Sequence, residues 1–324
     1  MSTKQYLLDI ENISVRYPEG GTVLSDISLQ VNRAEIVSVI GESGCGKSTL
    51  LNSILQLPGR VDVYKGAIKY DGEDLLTMTQ KELRDRRGVH VGVVFQEPGA
   101  SLDPIRKIKN QFYDAIRAHR PDVTKAQVYE EATEILKSVE LYDTKRILES
   151  CPVQLSGGMN QRVAIAIAMV LKPQLLLADE PTSALDVTVQ AQIVEEMLKL
   201  RDTYKTSILM ITHNVGVVAK MSDKVAVMYG GHIVEYGHKD TVLKNPVHPY
   251  TNALISAIPK LDGTPPKGLP GQKPKEFVET GCAFAPRCKY ATEECYKKAL
   301  KRIDLSEDHW ALCDKVAKDV KTNE

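Results

Sequence analysis

The chain lacks a long apolar run, an excess of charge of either sign and an internal repeat. Its longest apolar run, Val163–Leu171, is far shorter than the roughly 20 residues needed to span a bilayer. Its first residues contain no apolar signal segment. Lys and Arg number 42, and Asp and Glu also number 42, so no net field attracts nucleic acid or acidic lipid. These absences predict a cytosolic chain that reaches a membrane only through a partner.

Length and composition permit one large domain or two medium ones, since 324 residues of which 43% are hydrophobic can bury a sizeable core. The first third is predicted to be rich in β-strands, at 7–17, 24–31 and 66–72. The middle, from about 97 to 171, changes to helical spacing. Within it, Thr124–Leu141 places four apolar side chains on one face: Ala132, Ile135, Leu136 and Val139.

That helical block is predicted to interrupt two halves of one sheet. The second half begins with a strand at 174–179, continues with a helix at 187–204 and ends with a strand at 207–212. Beyond the sheet, 262–275 contains four prolines and three glycines and is predicted to be a linker. A tail that contains cysteines follows the linker.

A glycine-rich loop lies between a predicted strand, Glu35–Ile40, and a predicted helix, Lys47–Leu57. In such a loop, backbone N–H groups and the N-terminal dipole of the helix favour the β- and γ-phosphates of a nucleotide. Lys47 adds a positive charge, and the Ser48 hydroxyl can ligate Mg²⁺. Cys45 is a small filler residue in the loop, although the helix start and Lys47 both favour its thiolate. The predicted phosphate-binding residues are Gly41, Ser43, Gly44, Cys45, Gly46, Lys47, Ser48 and Thr49.

An acidic pair follows a second predicted strand. Leu175–Ala178 is a continuous apolar run, as expected for a parallel strand buried on both faces. Asp179 then falls at the carboxyl end of that strand, where sheets of this kind bind ligands. Asp179 can hold the Mg²⁺ shell, and Glu180 can polarise an attacking water, which typically contributes 10²–10⁴-fold. The pair therefore predicts Mg²⁺-dependent hydrolysis.

Between these two motifs stands the stretch Leu155-Ser156-Gly157-Gly158-Met159-Asn160-Gln161-Arg162. With the phosphate loop and the acidic pair, it resembles the nucleotide-binding subunit of an ATP-binding-cassette (ABC) transporter. The resemblance implies an α/β P-loop NTPase core with an antiparallel β subdomain, at 1–96 and 173–250. It also implies an inserted helical subdomain at 97–172 and a C-terminal accessory tail at 251–324.

The resemblance also implies roles for single residues. Gln96 matches the glutamine that touches Mg²⁺ and the catalytic water, and His213 matches the histidine that contacts the γ-phosphate. Tyr17 matches the aromatic residue that stacks on adenine, and the alternative is an ordinary strand aromatic. In this family Ser156, Gly157 and Gly158 cap an ATP held by the opposite subunit, and Asp186 lies in the loop between subunits. Two ATP molecules are then sandwiched between two head-to-tail subunits.

Three further runs resemble one branch of the family, the ATPase subunits of dipeptide, oligopeptide or nickel importers. They are 96–104, 248–254 and 281–288. The resemblance implies two transmembrane permease subunits, an extracellular solute-binding protein that acts indirectly, and a position at the cytoplasmic face of the membrane. The branch usually pairs two different ATPases, so a heterodimer is favoured over a homodimer.

The tail contains four cysteines: Cys282, Cys288, Cys295 and Cys313. In a cytosolic chain such clustering suggests a metal more than disulfides. Zinc sites usually include a short C-x2–4-C element, which is absent, and some members of this branch carry a [4Fe–4S] cluster. An iron–sulfur cluster, a zinc ion and free or oxidised thiols remain open. His309 could replace a ligand but is expected to be a surface residue.

Two other functions compete with peptide or nickel import. A soluble ABC ATPase that acts on DNA or ribosomes would usually carry long coiled-coil insertions, tandem cassettes or strongly basic segments, and the sequence contains none of these. A regulatory module would use the cysteine tail as its active element. Co-purification with membrane proteins would distinguish these classes.

Overall fold

The computed structural model describes residues 5–97, 101–183, 185–258, 268–269, 271–272, 274 and 277–316. Its strands, in chain order, are β1 (Leu8–Arg16), β2 (Thr22–Val31), β3 (Ile36–Ile40), β4 (Asp62–Tyr70), β5 (Glu73–Asp74), β6 (Val91–Val94), β7 (Leu175–Asp179), β8 (Ser207–Ile211), β9 (Lys224–Tyr229), β10 (His232–His238), β11 (Arg302–Ser306) and β12 (His309–Leu312). Its helices are α1 (Lys47–Leu55), α2 (Gln80–Arg86), α3 (Ile108–Arg117), α4 (Lys125–Ser138), α5 (Thr144–Glu149), α6 (Gly157–Met169), α7 (Val187–Tyr204), α8 (Val215–Met221), α9 (Lys239–Lys244), α10 (Pro249–Ser256) and α11 (Glu294–Lys297).

The chain forms two compact units. The first contains the described residues within 1–7, 31–36 and 77–211, and the second contains those within 8–30, 37–76 and 212–324. Each combines parallel strands with helices, and the predicted α/β class is confirmed. Among the described residues, no helix has both the length and the apolar composition needed to cross a membrane.

The first unit contains a parallel sheet in which β7 lies between β6 and β8. All residues of β7 before Asp179 are buried, which explains why Leu175–Ala178 is an uninterrupted apolar run. Val94 of β6 pairs with Ala178, and Asp179 pairs with Ile211 of β8. The carboxyl ends of the three strands therefore meet at one edge of this sheet, which holds the acidic pair.

Helices α3, α4, α5 and α6 fill the middle of the first unit. Helix α4 begins at a capping box, in which the Thr124 hydroxyl accepts the Gln127 N–H and the Gln127 side chain accepts the Thr124 N–H. The side chains that α4 and the residue after it bury are Val128, Ala132, Ile135, Leu136 and Val139. The predicted amphipathic helix is thus confirmed, and its apolar face packs against the other helices of this block.

The second unit contains two sheets. One is antiparallel, in the order β2-β1-β4-β5. In the other, β3 pairs in parallel with β9, β9 pairs antiparallel with β10, and β12 joins β10 to β11. The glycine-rich loop follows β3 directly, so this second sheet positions it.

The core beneath that loop draws on the C-terminal part of the chain as well as the sheet. Its buried members are Ile40, Val218, Val225, Val227, Tyr229, Val234, Val242, Tyr250, Ala283 and Phe284. Tyr250 lies on α10, and Phe284 lies in the cysteine-bearing segment. The rings of Tyr229 and Phe284 meet edge to face, with centroids 5.3 Å apart. This segment is therefore part of the hydrophobic core of the second unit.

Strands β11 and β12 were not predicted from the sequence, which indicated only a tail that contains cysteines. Tyr236 of β10 pairs with Trp310 of β12, so the tail extends a sheet. The alternating exposure of β11 follows Arg302-Ile303-Asp304-Leu305-Ser306, a short period-two pattern that could have indicated a strand. The predicted linker at 262–275 lies largely outside the described residues, and the proposed domain boundaries stay a prediction.

Candidate functional site

In the second unit, the phosphate loop connects β3 to α1 and leaves no room for side chains at two of its glycines. Gly46 is the N-cap of α1 with φ 107°, a left-handed backbone that favours glycine. A Cβ at Gly41 would lie 2.1 Å from the carbonyl oxygen of Met228, and one at Gly46 would lie 2.4 Å from Leu24 Cδ2. The backbone therefore stays close to the start of α1, where N–H groups and the helix dipole favour phosphate. This cradle fits a nucleotide polyphosphate.

Lys47 is folded back across this cradle. Its Nζ donates to the carbonyl oxygens of Gly41, at 2.8 Å, and Glu42, at 3.2 Å, and the side chain is buried. These bonds satisfy two of the three ammonium donors within the loop. The positive charge is thus held at the point where a bound phosphate would need it.

Tyr17 lies beside the loop, as the resemblance implied. Its hydroxyl is 3.1 Å from Thr49 Oγ1, while 45% of the residue stays exposed. Ser48, the predicted Mg²⁺ ligand, is exposed at the start of α1. The hydrogen bond to Thr49 fixes the Tyr17 ring next to the phosphate cradle, and stacking on adenine stays a prediction.

The expected thiolate at Cys45 is wrong. The residue is only 6% exposed, and burial raises the pKa of its thiol above the usual value. Lys47 Nζ, 3.8 Å from Sγ, lowers that pKa but does not outweigh the burial. Cys45 is therefore a small buried side chain, and no enhanced reactivity follows from its position.

His213, in the second unit, comes two residues after β8 and is exposed. The next residue, Asn214, caps α8 by accepting the N–H groups of Gly216 and Val217 at 3.0 and 3.3 Å. The cap fixes the turn at which His213 projects. Its predicted contact with the γ-phosphate stays a prediction.

In the first unit, the acidic pair and Gln96 lie at the same edge of the sheet. Asp179 ends β7, and Gln96 is exposed two residues beyond the end of the neighbouring β6. Glu180 adopts φ 48°, an uncommon left-handed conformation for a residue other than glycine. Its N–H donates to Ile211 O at 2.8 Å, and its carbonyl accepts the Ser183 N–H at 3.0 Å. The backbone at Glu180 is therefore fixed at the end of β7.

The Ser-Gly-Gly stretch forms the start of α6. The Ser156 hydroxyl accepts the Met159 N–H at 3.3 Å as N-cap, and Ser156 and Gly157 are exposed. A Cβ at Gly158 would lie 2.9 Å from Val189 Cγ1, while Asp186 accepts the Val189 N–H at 3.0 Å as the cap of α7. The structure thus brings the stretch and the Asp186 loop together on Val189.

Behind this helix start lies a buried carboxyl that the sequence did not indicate. Glu196 of α7 is fully buried, and its Oε1 is 2.9 Å from the guanidinium of Arg162 on α6. The angles do not make a hydrogen bond, so neither carboxylate oxygen accepts one from the described residues. Burial raises the pKa of Glu196 to about 7, even though Arg162 lowers it.

This carboxyl should make stability depend on pH. The folded-state pKa lies above the unfolded value of 4.5, so the folded chain binds the extra proton and loses stability as pH rises from about 4.5 to 7. Glu196→Gln removes that titration. We expect the wild type to lose on the order of 2 kcal/mol relative to Glu196→Gln between about pH 5 and pH 8. Urea unfolding at both pH values measures the free energy of unfolding of each variant. Glu195→Gln is the control, because Glu195 is the exposed neighbour of Glu196. An equal pH dependence in wild type and Glu196→Gln contradicts it.

Glu42, inside the phosphate loop, is held by C-terminal residues that the sequence marked only as branch motifs. Arg287 donates to its carboxylate at 2.6 and 3.3 Å, and the Glu42 N–H donates to the Tyr250 hydroxyl at 3.0 Å. Arg287 also donates to the Tyr229 hydroxyl at 3.1 Å. Burial raises the pKa of both tyrosines, so their hydroxyls stay protonated. Sequence motifs do not reveal such contacts, because the residues lie far apart in the chain.

The four tail cysteines line one cavity of about 250 Å³: Cys282, Cys288, Cys295 and Cys313. All four are free thiols. Burial raises the pKa of Cys282 to about 11, and the neighbouring thiols add to that effect. Among the described residues, no group of three or more His, Cys, Asp or Glu side chains is arranged to hold a metal ion. The cavity nevertheless brings together a set of four sulfur donors.

His309 is not the surface residue that we expected. It is buried, and its Nε2 lies 3.1 Å from Oε1 of Glu235, a fully buried carboxylate on β10. Glu235 also accepts the N–H groups of Val247 and His248, at 3.1 and 2.9 Å. Burial lowers the pKa of His248 to about 4, and its Nδ1 accepts the Tyr250 N–H at 3.0 Å. This network fixes the start of α10, which carries Tyr250.

Sequence comparisons identify two families along the chain. The family described as "ABC transporter" matches 24–183, and "Oligopeptide/dipeptide transporter, C-terminal region" matches 234–295. The oligopeptide transport ATP-binding protein OppD of Haemophilus influenzae is 38% identical over 295 residues, 89% of this chain and 91% of the relative. The dipeptide transport ATP-binding protein DppD of Caldanaerobacter subterraneus subsp. tengcongensis is 39% identical over 314 residues, 95% and 96% of the two chains.

Solved structures share the same fold. The ATP-binding cassette MJ0796, determined as a dimer with ADP and phosphate, gives a TM-score of 0.64 at 29% identity and covers 72% of this chain and 98% of that one. The chain cbiO1 from Clostridium perfringens, described as part of an ABC transporter complex, gives a TM-score of 0.65 at 24% identity. It covers 74% of this chain and 92% of that one, and at this identity the likeness concerns the fold alone.

Proposed function

The chain belongs to the ATP-binding subunits of ABC transporters, in the oligopeptide and dipeptide branch, and we propose that it hydrolyses Mg-ATP to drive peptide import. It is an ATPase that couples ATP hydrolysis to transport. The relatives named for oligopeptide and dipeptide transport support peptides as the solute, in preference to nickel.

One observation carries this proposal. The same chain contains a phosphate-binding loop and, separately, an exposed helix N-terminus that favours anions. Lys47 is held in the cradle, whereas Ser156 and Gly157 are exposed at the start of the 13-residue α6. Both features favour phosphate. They support an ATP bound at Lys47 of one subunit and capped by Ser156, Gly157 and Gly158 of a second, head-to-tail subunit.

The nucleotide-site residues have separate proposed tasks. When bound, Mg²⁺ neutralises the charge that develops on the transferred phosphoryl group. Ser48, Asp179 and Gln96 would each ligate or support Mg²⁺, and Glu180 would accept the proton of the attacking water. The backbone bonds of Glu180 support this role, because they fix the main chain that carries the carboxylate.

The other proposed nucleotide contacts are Tyr17, His213 and Asp186. Tyr17 packs on adenine, a role supported by its hydrogen bond to Thr49. His213 contacts the γ-phosphate, and Asp186 lies in the loop that faces the second subunit. The cap that Asp186 forms on α7 orders that loop.

The partners follow from the same proposal. A second ABC ATPase, in a heterodimer, completes the two ATP sites, and two transmembrane permease subunits hold the pair at the cytoplasmic face of the membrane. An extracellular solute-binding protein supplies peptide to the permeases and contacts this chain only indirectly. Nucleic acid is not a partner, in keeping with the balanced charge.

We further propose that the four tail cysteines hold a [4Fe–4S] cluster, with zinc as the alternative. Four cysteine thiolates would be a suitable ligand set for such a cluster. The shared cavity supports this proposal, because all four cysteines line it. The described residues nevertheless form no group of three or more His, Cys, Asp or Glu side chains arranged to hold a metal ion. Metal binding would deprotonate thiols whose pKa is raised by burial.

Purification through a tag on this chain, from membranes of its native host, tests the transport function. We expect two permeases and a second ABC ATPase to co-elute. The second ATPase is needed because the phosphate loop of one subunit is completed by the start of α6 of the other, and the permeases hold the pair at the membrane. We also expect Mg-ATP hydrolysis to rise when a peptide-loaded binding protein is added. Elution with ribosomes or DNA and without membrane proteins would contradict the proposal. Lys47→Ala serves as the background control for hydrolysis.

A further inference from the structure

Glu42 is attached to the C-terminal part of the second unit at two points. Its main-chain N–H donates to the Tyr250 hydroxyl at 3.0 Å. Its carboxylate accepts both terminal nitrogens of Arg287, at 2.6 and 3.3 Å. Arg287 follows Glu42 by 245 positions. The phosphate loop is thus held by residues that no nucleotide motif includes.

These anchors are themselves rigid. The Arg287 side chain is 3% exposed and lies over the rings of Tyr229 and Phe284, at 5.7 and 5.8 Å from their centroids. Tyr250 is fully buried, and its ring is 4.4 Å from that of Tyr229. Packed aromatic rings and a two-bond ion pair leave few alternative positions for the Glu42 side chain.

Glu42 also contacts Lys47, the positive charge proposed to bind phosphate, through one hydrogen bond. The carbonyl of Glu42 accepts a hydrogen bond from Lys47 Nζ at 3.2 Å. Three groups of Glu42 are therefore engaged: its N–H with Tyr250, its carboxylate with Arg287 and its carbonyl with Lys47. A shift of Glu42 would displace both the loop backbone and a partner of Lys47.

The positive charge of Arg287 also neutralises the Glu42 carboxylate. The Glu42 carboxylate is 26% exposed and lies in the loop that would cradle a polyphosphate. Without Arg287 this negative charge would repel ATP, and salt would screen the repulsion. Tyr250 carries no charge, so its loss would weaken the loop without adding a repulsion that depends on salt.

We propose that Arg287 and Tyr250 are positioning residues for ATP, which hold and neutralise Glu42 so that the phosphate loop is ready for the nucleotide. This inference rests on the proposed ATPase function and adds a role for the C-terminal region in it. The two residues act through Glu42 and Lys47 and touch no reacting atom. They should therefore affect ATP binding more than turnover.

The test measures the affinity of the full chain for a fluorescent ATP analogue, together with KM and kcat for ATP. We expect Arg287→Met to weaken binding and raise KM about tenfold, with kcat within about twofold of wild type, because loop preorganisation and charge act before the chemical step. Arg287→Lys should lose about threefold, since it keeps the charge and loses the two-bond geometry. Tyr250→Phe should also lose about threefold.

Salt and a double substitution separate positioning from general loss of structure. The Arg287→Met defect should shrink in 0.5 M NaCl, whereas the Tyr250→Phe defect should not. Adding Glu42→Gln to Arg287→Met should restore affinity to within about threefold of wild type, because the unpaired charge is gone. Arg302→Met is the matched control: Arg302 also lies in the C-terminal region, pairs with Asp304 and should leave all values unchanged.

Hydrogen exchange in the nucleotide-free chain tests the attachment independently of hydrolysis. Arg287→Met and Tyr250→Phe should speed exchange at 41–47, and Arg302→Met should not. The inference would be overturned if Arg287→Met folds and its ATP affinity, the salt dependence of that affinity and its hydrogen exchange at 41–47 all equal those of the wild type. Failure of the proposed function would differ, because the wild type itself would then show no more ATP binding or hydrolysis than Lys47→Ala.

Discussion

Glu180→Gln should leave ATP binding intact and slow hydrolysis by about 10²–10⁴-fold, the usual contribution of a positioned general base. The phosphate cradle is formed by other residues, with Lys47 bonded to Gly41 and Glu42. The substitution keeps the shape of the side chain and the backbone bonds to Ile211 and Ser183. Only the ability to accept a proton from water is removed. Single-turnover hydrolysis and nucleotide affinity measure the two effects separately.

The same variant should accumulate a dimer that holds uncleaved ATP between subunits. Size-exclusion chromatography of the purified ATPase pair with Mg-ATP would detect it. Glu195→Gln, an exposed carboxylate in the same unit, is the matched control and should hydrolyse ATP at the wild-type rate. Near-wild-type turnover in Glu180→Gln would show that another group activates the water.

Protein purified anaerobically from its native host should be brown and contain about four irons per chain, as a Cys₄-bound [4Fe–4S] cluster requires. Cys288→Ser should lose the colour and most of the iron, because it removes one of four thiols around a single cavity. It should also expose the segment around 282–313 to protease, since cluster binding and local folding are coupled. At saturating ATP, turnover should persist, because loosening the segment that contains Arg287 should raise KM more than it lowers kcat.

Cys151→Ser provides the control for that experiment. Cys151 lies in the first unit, where its thiol hydrogen-bonds to Ile105 O at 3.2 Å. It is not among the residues that line the cavity, so iron content should stay unchanged. Colourless wild-type protein with one zinc and no iron would replace the cluster with a zinc site. Absence of both metals would leave the four cysteines as structural thiols.

Local patterns were enough to predict the elements that carry the nucleotide chemistry. The helix at 187–204 was placed correctly, and the apolar run before Asp179 is a fully buried strand. Both rest on periodicity within a few residues. The phosphate loop was equally accessible, because its glycines are required by backbone geometry that the motif itself encodes.

Features set by tertiary contacts were missed. Burial at Cys45 outweighs the charge of Lys47, and no local pattern measures burial. His309 was expected at the surface because a lone histidine carries no signal of the buried Glu235 on another strand. The pairing of Glu42 with Arg287 was hidden for the same reason, since it joins two motifs that were interpreted separately.

The C-terminal strands also determine which strand lies at the boundary of the second unit's sheet. Within the described residues of the second unit, β11 is the last strand of its sheet, and every second side chain of it faces water: Arg302, Asp304 and Ser306. A charged, short last strand resists the addition of a strand from another molecule. Without β11 and β12, the largely buried β10 would become that boundary, with unpaired backbone groups at Glu235 and Tyr236. The tail thus places a short, charged strand at this boundary, which is less suited than β10 to pairing with a strand from another molecule.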